Sequence, residues 1–219
     1  MDQFSAQSQS RAAHASEAGY FKSQITPLEL TARRKTVTFD NDEFIRAETT
    51  IESLASLRAA FTKDGLVTAG NSSGINDGTA SLVLANSAAL ETHKVNPLAR
   101  IIAYGFGGVP PRIMGMGPVP ASEMALKRSG LSVDDLDLVE SNEAFAAQAC
   151  AVSRQLNLDT ARVNPNGGAI ALGHPVGATG AIIMTKLIHE LHRINGRYGM
   201  ATMCIGGGQG ISVIIDAKP

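Results

Sequence analysis

Strand-like and helix-like runs alternate along the second half of this chain, and this alternation limits the possible folds more than any other feature. The predicted strands are ARIIAYGFGG (99–108), LDLVES (136–141), GMATMCI (199–205) and GISVIIDA (210–217). The predicted helices are ASEMALKRSG (121–130), NEAFAAQACAVSRQL (142–156) and ATGAIIMTKLIHELHRIN (178–195), the last with Ile183, Leu187, Leu191 and Ile194 on one face. Strands that alternate with helices are typical of a sheet covered by helices, so we expect an α/β fold.

The composition is that of an ordered globular protein. Of the 219 residues, 44% are hydrophobic and 18% are charged, and the formal net charge is −1. Nucleic acids and anionic membranes attract basic surfaces, so neither is an expected partner. The N-terminal residues lack the regions of a secretory signal, which favours a cytoplasmic protein. We therefore expect free thiols at Cys150 and Cys204, with Cys150 as a small core residue.

The first part of the chain is more polar and has more loops than the second. We predict a helix that stops at Gly19, an exposed hairpin over residues 28–40, and a helix over residues 49–61. A capping box from Thr49 to Glu52 and an apolar face formed by Leu54, Leu57 and Phe61 are expected in that second helix. A Gly/Asn/Ser-rich loop follows over residues 63–78, and ASLVLAN (80–86) is predicted as a buried strand. The composition changes near residues 96–97, where we place a boundary.

Two reactive side chains stand among glycines. Cys204 ends a predicted strand and is followed by Gly206, Gly207 and Gly208, whose bare backbone N–H groups could form an oxyanion site. A tight hairpin that needs glycine conformations would explain the same glycines. His174 lies between Gly173 and Pro175, a setting that holds a ring as a general base requires, although a structural histidine is the alternative.

Asn142 falls where a strand gives way to a helix. In α/β sheets such a position faces the ligand crevice, but Asn is also a good helix N-cap, and Glu143 suits the first helical turn. His189 and His192 share a polar helix face and are not expected to bind a metal. The glycine runs fit neither a phosphate loop nor a dinucleotide fingerprint. A thiol, an imidazole and an amide together suggest acyl transfer through a thioester.

Three motifs resemble those of a known family. NEAF (142–145), GGAIALGHPVGATG (167–180) and CIGGGQG (204–210) are similar to the three C-terminal motifs of the thiolases, in particular of the biosynthetic acetyl-CoA acetyltransferases. The resemblance implies one complete C-terminal βαβαβαββ repeat with helices on a mixed sheet, plus most of an α+β loop domain. It assigns residues 1–75 to the loop domain, 76–95 to the last strand region of the N-terminal domain, and 96–219 to the C-terminal domain. The family's nucleophilic cysteine motif is not found in this sequence.

The resemblance also implies roles for individual residues. His174 would activate the nucleophilic cysteine and help to bind the thioester oxygen, and Cys204 would move a proton between the Cα of acetyl-CoA and the leaving thiol. Asn142 would hold a water in the first oxyanion hole, and the Gly206 N–H would belong to the second. The implied substrate-binding residues are Ser73 beside the pantetheine chain, Arg46 and Ser53 near the nucleotide end of coenzyme A, and Met114 and Phe145 in the acyl pocket.

Three hypotheses about function follow. The first is part of a thiolase acting on acetyl-CoA and acetoacetyl-CoA, with coenzyme A thioesters as substrates and no other cofactor. It would be inactive without the N-terminal half and would associate with that half or a full-length thiolase, as a homo-oligomer. The second is a hydrolase or acyltransferase with Cys204 as nucleophile, His174 as base and Asn142 as orienting group. The third is a non-catalytic protein that binds coenzyme A or a thiolase.

Overall fold

The computed structural model describes residues 1–32 and 35–219. Its helices are α1 (Asp2–Glu17), α2 (Ile51–Ala55), α3 (Ser87–His93), α4 (Pro118–Ser129), α5 (Ala146–Gln155), α6 (Ala169–Leu172) and α7 (Thr179–Arg193). Its strands are β1 (Leu28–Ala32), β2 (Lys35–Phe39), β3 (Arg100–Gly108), β4 (Leu138–Ser141), β5 (Tyr198–Ile205) and β6 (Gln209–Asp216). Within the described ranges, none of these helices has both the length and the apolar character needed to cross a bilayer.

The C-terminal sheet is mixed, as predicted. Its strand order is β3-β6-β5-β4, with β4 parallel to β5 and the other neighbours antiparallel. The third strand of the expected βαβαβαββ repeat is reduced to a single parallel bridge between Val139 and Val163. The predicted α/β fold with a mixed sheet is confirmed by this arrangement.

Helices cover both faces of the sheet. Helix α4 packs on β3 and β6, and α7 packs on β4 and β5 from the other side. In α7, Leu187 and Leu191 are fully buried, and each such side chain contributes about 1.5–3 kcal/mol of hydrophobic stabilisation. The predicted apolar face of α7 is confirmed at these positions and at Ile183, but Ile194 follows the helix and is partly exposed.

The N-terminal part supports the sheet domain mainly through α1, which packs against α5 and α6. Helix α1 ends at Glu17, and Gly19 adopts a left-handed φ of +75°, as predicted. The hairpin β1–β2 is exposed, as predicted. Its directly paired residues Leu28 and Phe39 lie on the same face as the pair Leu30 and Val37.

The second predicted helix is shorter than expected. Helix α2 has five residues, and its capping box joins Thr50 to Ser53 rather than Thr49 to Glu52. Thr50 has the extended backbone that an N-cap needs, and the Ser53 hydroxyl accepts its N–H. Leu54 is buried, but Leu57 and Phe61 are exposed because the helix ends before them. The expected apolar face is therefore wrong beyond Leu54.

The predicted buried strand ASLVLAN is also wrong for this chain. Residues 80–86, all of them described, belong to no strand, and Val83 is 95% exposed. A strand needs a neighbour to accept and donate its ladder hydrogen bonds, and the described residues offer none here. Helix α3, which the sequence pattern did not predict, follows this segment and has no buried residue.

Candidate active site

Two of the predicted site residues lie at one edge of the sheet. Asn142 directly follows β4, and its backbone N–H donates to the Thr202 carbonyl of β5 at 2.9 Å. Cys204 lies two positions further along β5. Because β4 and β5 are parallel, their carboxyl ends reach the same edge, and adjacent strands are about 4.8 Å apart. An amide and a thiol therefore stand on neighbouring strands at this edge.

The ring of His174 reaches the same edge. Its Nε2 is 3.2 Å from Nδ2 of Asn142, and its Nδ1 is 2.7 Å from the hydroxyl of Thr179. The Thr179 hydroxyl donates its only proton to the Pro175 carbonyl at 2.9 Å, so it accepts from Nδ1–H of His174. In the neutral ring the lone pair is then on Nε2. Partial burial lowers the pKa of His174, which favours this neutral form.

Thr179 is therefore expected to fix the tautomer of His174. In Thr179→Val, the Nδ1–H loses its acceptor, and the preference for the Nδ1–H tautomer should fall on the order of fivefold, the equivalent of about 1 kcal/mol. Thr179→Ser keeps the hydroxyl and should keep the tautomer. Nitrogen-15 NMR of the imidazole distinguishes the two ring nitrogens directly. A wild-type ring protonated at Nε2 would contradict this assignment.

The Gly/Asn/Ser-rich loop passes between the two motifs that carry Asn142 and His174. The Ser73 N–H donates to the Ala144 carbonyl, and the His174 N–H donates to the Gly74 carbonyl, each at 3.1 Å. Gly173 has a φ of +87°, and a Cβ there would meet the side chain of Asn76. The loop therefore places Ser73 beside the candidate site and fixes the backbone of His174.

Glu143 does not have the helix-terminal role that its position suggested. Helix α5 begins only at Ala146, so neither Asn142 as N-cap nor Glu143 as first-turn acid is correct. Glu143 is buried and accepts hydrogen bonds from Ser8 at 2.7 Å, from Asn164 at 2.8 Å and from the Ile170 N–H at 3.2 Å. Burial raises the pKa of Glu143, and these donors oppose that effect. Glu143 directly follows Asn142. Its carboxyl group therefore links that position to helix α1 and to the segment that leads to His174.

Cys204 is a buried thiol beside an open turn. It is 6% exposed, and burial raises the pKa of its thiol, so the thiol form predominates at neutral pH. Gly207 and Gly208 have φ values of +83° and +96°, as the hairpin alternative required. A Cβ added at Gly206 or Gly207 would meet nothing within 4 Å, so there is open space on this side of the turn. Both cysteines are free, as predicted, but Cys150 is only partly buried.

The other predicted residues are spread over a wider area. Met114 is half-buried in a short 3₁₀ helix, Pro111–Met116, whose following residue Gly117 lies against Gln209 and Gly210 at the start of β6. Phe145 packs edge-on against Phe61 with ring centroids 6.0 Å apart. The Gly117 contact places Met114 near the turn after Cys204, and an isolated β-bridge between Phe145 and Ser72 places Phe145 next to the loop that carries Ser73.

Arg46 and Ser53 lie on the exposed surface around α2. The Ser53 hydroxyl is used in the capping box, and the backbone N–H of Arg46 donates to the Gln9 side chain at 2.8 Å. The Arg46 guanidinium lies 5.7 Å from the ring centroid of Phe44. The residues that sequence reasoning missed are Thr179, Ser8, Asn164 and Asn76. The local signal available was Thr179, five positions after His174.

Models of a single family match nearly all of the chain. "Thiolase, N-terminal domain" matches residues 1–88, and "Thiolase, C-terminal domain" matches residues 95–217. The chain belongs to the thiolase family.

Relatives of this thiolase chain are similar over nearly all of its length. It is 54% identical to "Beta-ketothiolase BktB" of Cupriavidus necator and 52% identical to "Acetyl-CoA acetyltransferase" of Escherichia coli, in each case over 98% of this chain and 55% of the relative. The crystal structure of the Bacillus anthracis acetyl-CoA acetyltransferase superposes with a TM-score of 0.96 at 49% identity, covering 98% of this chain and 55% of that one.

A human structure is similar as well. Human mitochondrial 3-ketoacyl-CoA thiolase in complex with CoA gives a TM-score of 0.90 at 47% identity, covering 98% of this chain and 53% of that one. The thiolase chain thus spans about half the length of the relatives it matches.

Proposed function

We propose that this chain carries the acid–base groups and part of the coenzyme A site of an acyltransferase that interconverts acetyl-CoA and acetoacetyl-CoA. The main support is the His174 ring: Thr179 holds Nδ1, and the Nε2 lone pair lies next to Asn142 at the sheet edge that Cys204 reaches near the end of β5. A neutral imidazole with a fixed lone pair is what a general base requires.

In thiolysis, His174 would take the proton of the nucleophilic cysteine that the family motif implies and that this chain does not contain. The resulting thiolate attacks the keto carbon of acetoacetyl-CoA, and the Cα–Cβ bond breaks to leave an acetyl-enzyme and the enolate of acetyl-CoA. The lowered pKa of His174 supports the first step, because the ring is neutral and able to accept. The proton returns to the cysteine when the acetyl group leaves.

Cys204 would protonate that enolate at Cα. Its raised pKa supports this step, because a thiol that stays protonated at neutral pH is ready to donate. The Cys204 thiolate then takes the proton of the incoming coenzyme A thiol, which attacks the acetyl-enzyme. The same groups working in reverse would carry out the Claisen condensation.

Two separate groups would help to bind the two oxygens that become negative during the reaction. The Asn142 Oδ1 atom is buried and has no hydrogen-bond partner among the described residues, so a water that donates to it would be held beside His174. The Gly206 N–H lies on the open side of the turn after Cys204 and would serve a second oxygen. Each such donor is worth on the order of 10²–10³ in rate.

The substrate would extend from this edge over the loop at Ser73 toward Arg46 and Ser53. Exposed hydroxyl and guanidinium groups suit the polar parts of coenzyme A, and Met114 and Phe145 suit the short acyl group. The cytoplasmic location and the homo-oligomeric state stay predictions from the sequence.

The hydrolase alternative is less consistent with the geometry. In a Cys-His-Asn set, the orienting group binds the ring nitrogen that faces away from the thiol. Here Thr179, and not Asn142, binds the outward ring nitrogen Nδ1, so Asn142 does not have the orienting role that this hypothesis gives it. The raised pKa of Cys204 also disfavours a thiolate nucleophile.

One experiment separates these hypotheses. The chain alone should show no thiolysis of acetoacetyl-CoA, and co-expression with the part of the Escherichia coli acetyl-CoA acetyltransferase that this chain does not cover should restore it. Mass spectrometry after mixing with acetyl-CoA should then find the acetyl group on the added polypeptide. A stable acetyl adduct on Cys204 would support the hydrolase hypothesis, and coenzyme A binding without turnover in the assembled mixture would support the non-catalytic one.

A further inference from the structure

Three hydroxyl side chains form one row across the sheet, directly behind Cys204. In the strand register, Ser141 of β4 is paired with Thr202 of β5, and Thr202 is paired with Ser212 of β6. Side chains alternate between the two faces of a strand, so this row lies on the same face as Cys204, two positions after Thr202. The row behind it is apolar and consists of Val139, Met200 and Ile214. The core on this face therefore becomes polar just before the site edge.

The hydroxyls of this row are not all satisfied. Thr202 Oγ1 is 2.7 Å from Ser212 Oγ, and the Ser122 hydroxyl of α4 is 2.9 Å from Ser212 Oγ. The Ser141 backbone N–H and C=O are both bonded to the side chain of Asn164, at 2.9 and 2.7 Å. Its Oγ is buried and has no hydrogen-bond partner among the described residues. Ser141 is thus held in place with an unused donor and acceptor on this face.

Gln148 of α5 brings an amide to the same layer. It lies one helical turn before Val152, which packs in the buried cluster that also contains Val139. Because α5 begins at the carboxyl edge of the sheet, Gln148 lies nearer that edge than Val152, as Ser141 lies nearer it than Val139. Gln148 is only 9% exposed, and within residues 1–32 and 35–219 neither its Oε1 nor its Nε2 has a partner.

An internal water is the partner that suits these atoms. Helices α4 and α5 of this chain cover this face of the sheet, so bulk solvent does not reach it. The amide of Gln148 offers two donors and an acceptor, and the Ser141 hydroxyl offers one of each. Buried polar atoms are rarely left unpaired, and an internal water typically makes about two to four hydrogen bonds to such groups. The two side chains together provide that number.

The stem of Gln148 lies on the 3₁₀ helix Pro111–Met116. A Cβ built on Gly115 would be only 2.7 Å from Cγ of Gln148, so the bare glycine backbone allows this close approach. Met114 directly precedes that glycine, and the end of the 3₁₀ helix reaches the turn after Cys204. An anchored Gln148 would therefore fix the segment that carries Met114.

We infer that Gln148 and Ser141 bind one internal water between α5 and the sheet, and that the anchored amide is a positioning group for the 3₁₀ helix that carries Met114. Gln148 contacts no reacting atom and acts through Met114. The water site concerns this chain alone. The effect on substrates rests on the proposed function, in which Met114 lines the acyl pocket.

The water site is tested in the chain alone by urea denaturation of Ser141→Ala, Gln148→Met and the double variant. Each single change leaves the other group without its full set of hydrogen bonds, so the equilibrium constant for unfolding should rise about fivefold. The double variant removes both polar groups and should be no less stable than the single variants, whereas independent sites would give about 25-fold. Gln155→Met, at an exposed position of the same helix, is the control and should stay within about twofold.

A crystal structure identifies what joins the two groups. The expected result is a water oxygen within hydrogen-bond distance of both Ser141 Oγ and the Gln148 amide, lost in the double variant. A direct bond between the two side chains, a bond from Gln148 to another protein group, or additive losses in the urea series would overturn the water site.

The positioning role has two further readouts. The Gly117 N–H donates to the Met114 carbonyl at 3.0 Å, and its hydrogen exchange should be at least about fivefold faster in Gln148→Met than in Gln155→Met. In the assembled enzyme, the ratio of kcat/KM for acetoacetyl-CoA to that for 3-oxohexanoyl-CoA should fall about threefold to tenfold in Gln148→Met, because a looser Met114 discriminates less against a longer acyl group.

A general loss of structure would lower both rates alike and leave their ratio unchanged. Unchanged exchange at Gly117, or an unchanged ratio in an active assembled enzyme, would overturn the positioning role. If the assembled wild type shows no turnover, the proposed function is rejected, and the exchange and denaturation results alone decide the inference.

Discussion

The His174→Ala variant of the assembled enzyme is expected to cleave acetoacetyl-CoA about 10²–10⁴ times more slowly than the wild type, the usual contribution of a general base. The loss should appear in kcat, because the imidazole is expected to act on the reacting thiol and on charge that develops in the transition state. Steady-state kinetics with acetoacetyl-CoA and coenzyme A measure it. A variant that keeps wild-type kcat would exclude His174 as the base.

The pH dependence gives an independent check on the same residue. Only the neutral ring can accept a proton, so wild-type activity should fall as the pH drops through the pKa of His174. Because burial lowers the pKa of His174, the fall in activity should begin at a lower pH than it would for an exposed histidine. The His174→Ala variant should have a much lower residual rate, and the pH profile of that rate should lack this acidic limb.

His192→Ala is a suitable control for both measurements. His192 lies on the outer part of α7, and its ring bonds to the Leu98 carbonyl at 2.7 Å, away from the sheet edge. Its removal should change kcat by less than about twofold, in line with surface substitutions. The same acidic limb should persist in this variant.

The fold could be predicted largely because its main elements carry strong local patterns. Helix α7 has apolar residues at 3.6-residue spacing, and β5 and β6 are apolar runs around a glycine turn, so neither depends on distant parts of the chain for recognition. The segment 80–86 has an equally clear strand pattern, but a strand forms only with a neighbour. Its local pattern therefore predicted a strand that the described residues do not form.

The site shows the same division between local and long-range information. Glycines around His174 and Cys204 marked both residues in the sequence. Nothing local indicated that Ser8 in α1 would bind Glu143, 135 positions away, or that α5 would begin four residues after Asn142. Those facts depend on packing between elements that only the folded chain brings together.

A buried ion pair beneath the site provides the largest expected effect on stability. Lys186 of α7 donates to Glu140 of β4 at 2.8 Å and to the Gly167 carbonyl at 2.6 Å, and the two charged side chains are 7% and 1% exposed. Lys186→Met leaves Glu140 buried without its counter-charge. The free energy of unfolding should fall by about 3–5 kcal/mol, measured by urea denaturation at neutral pH.

The pH dependence of that loss follows from the carboxyl group. Burial raises the pKa of Glu140 in the folded chain even with Lys186 present, and removing the lysine raises it further. Between the unfolded and folded pKa values the folded state binds more protons, so stability falls as the pH rises through this window. The loss of stability caused by Lys186→Met should therefore be smallest in acid, where Glu140 is protonated in both the folded and the unfolded state. It should be largest above the folded-state pKa of Glu140.

The double variant Glu140→Leu, Lys186→Met shows whether the loss comes from the unpaired charge. Replacing a buried ion pair by apolar residues of similar volume is often neutral or stabilising, so the double variant should recover most of the stability and lose the acid-dependent behaviour. If the double variant is as unstable as Lys186→Met, the lysine acts mainly through its bond to the Gly167 carbonyl. That carbonyl belongs to the loop leading to His174, and turnover in the assembled enzyme would then fall in both variants alike.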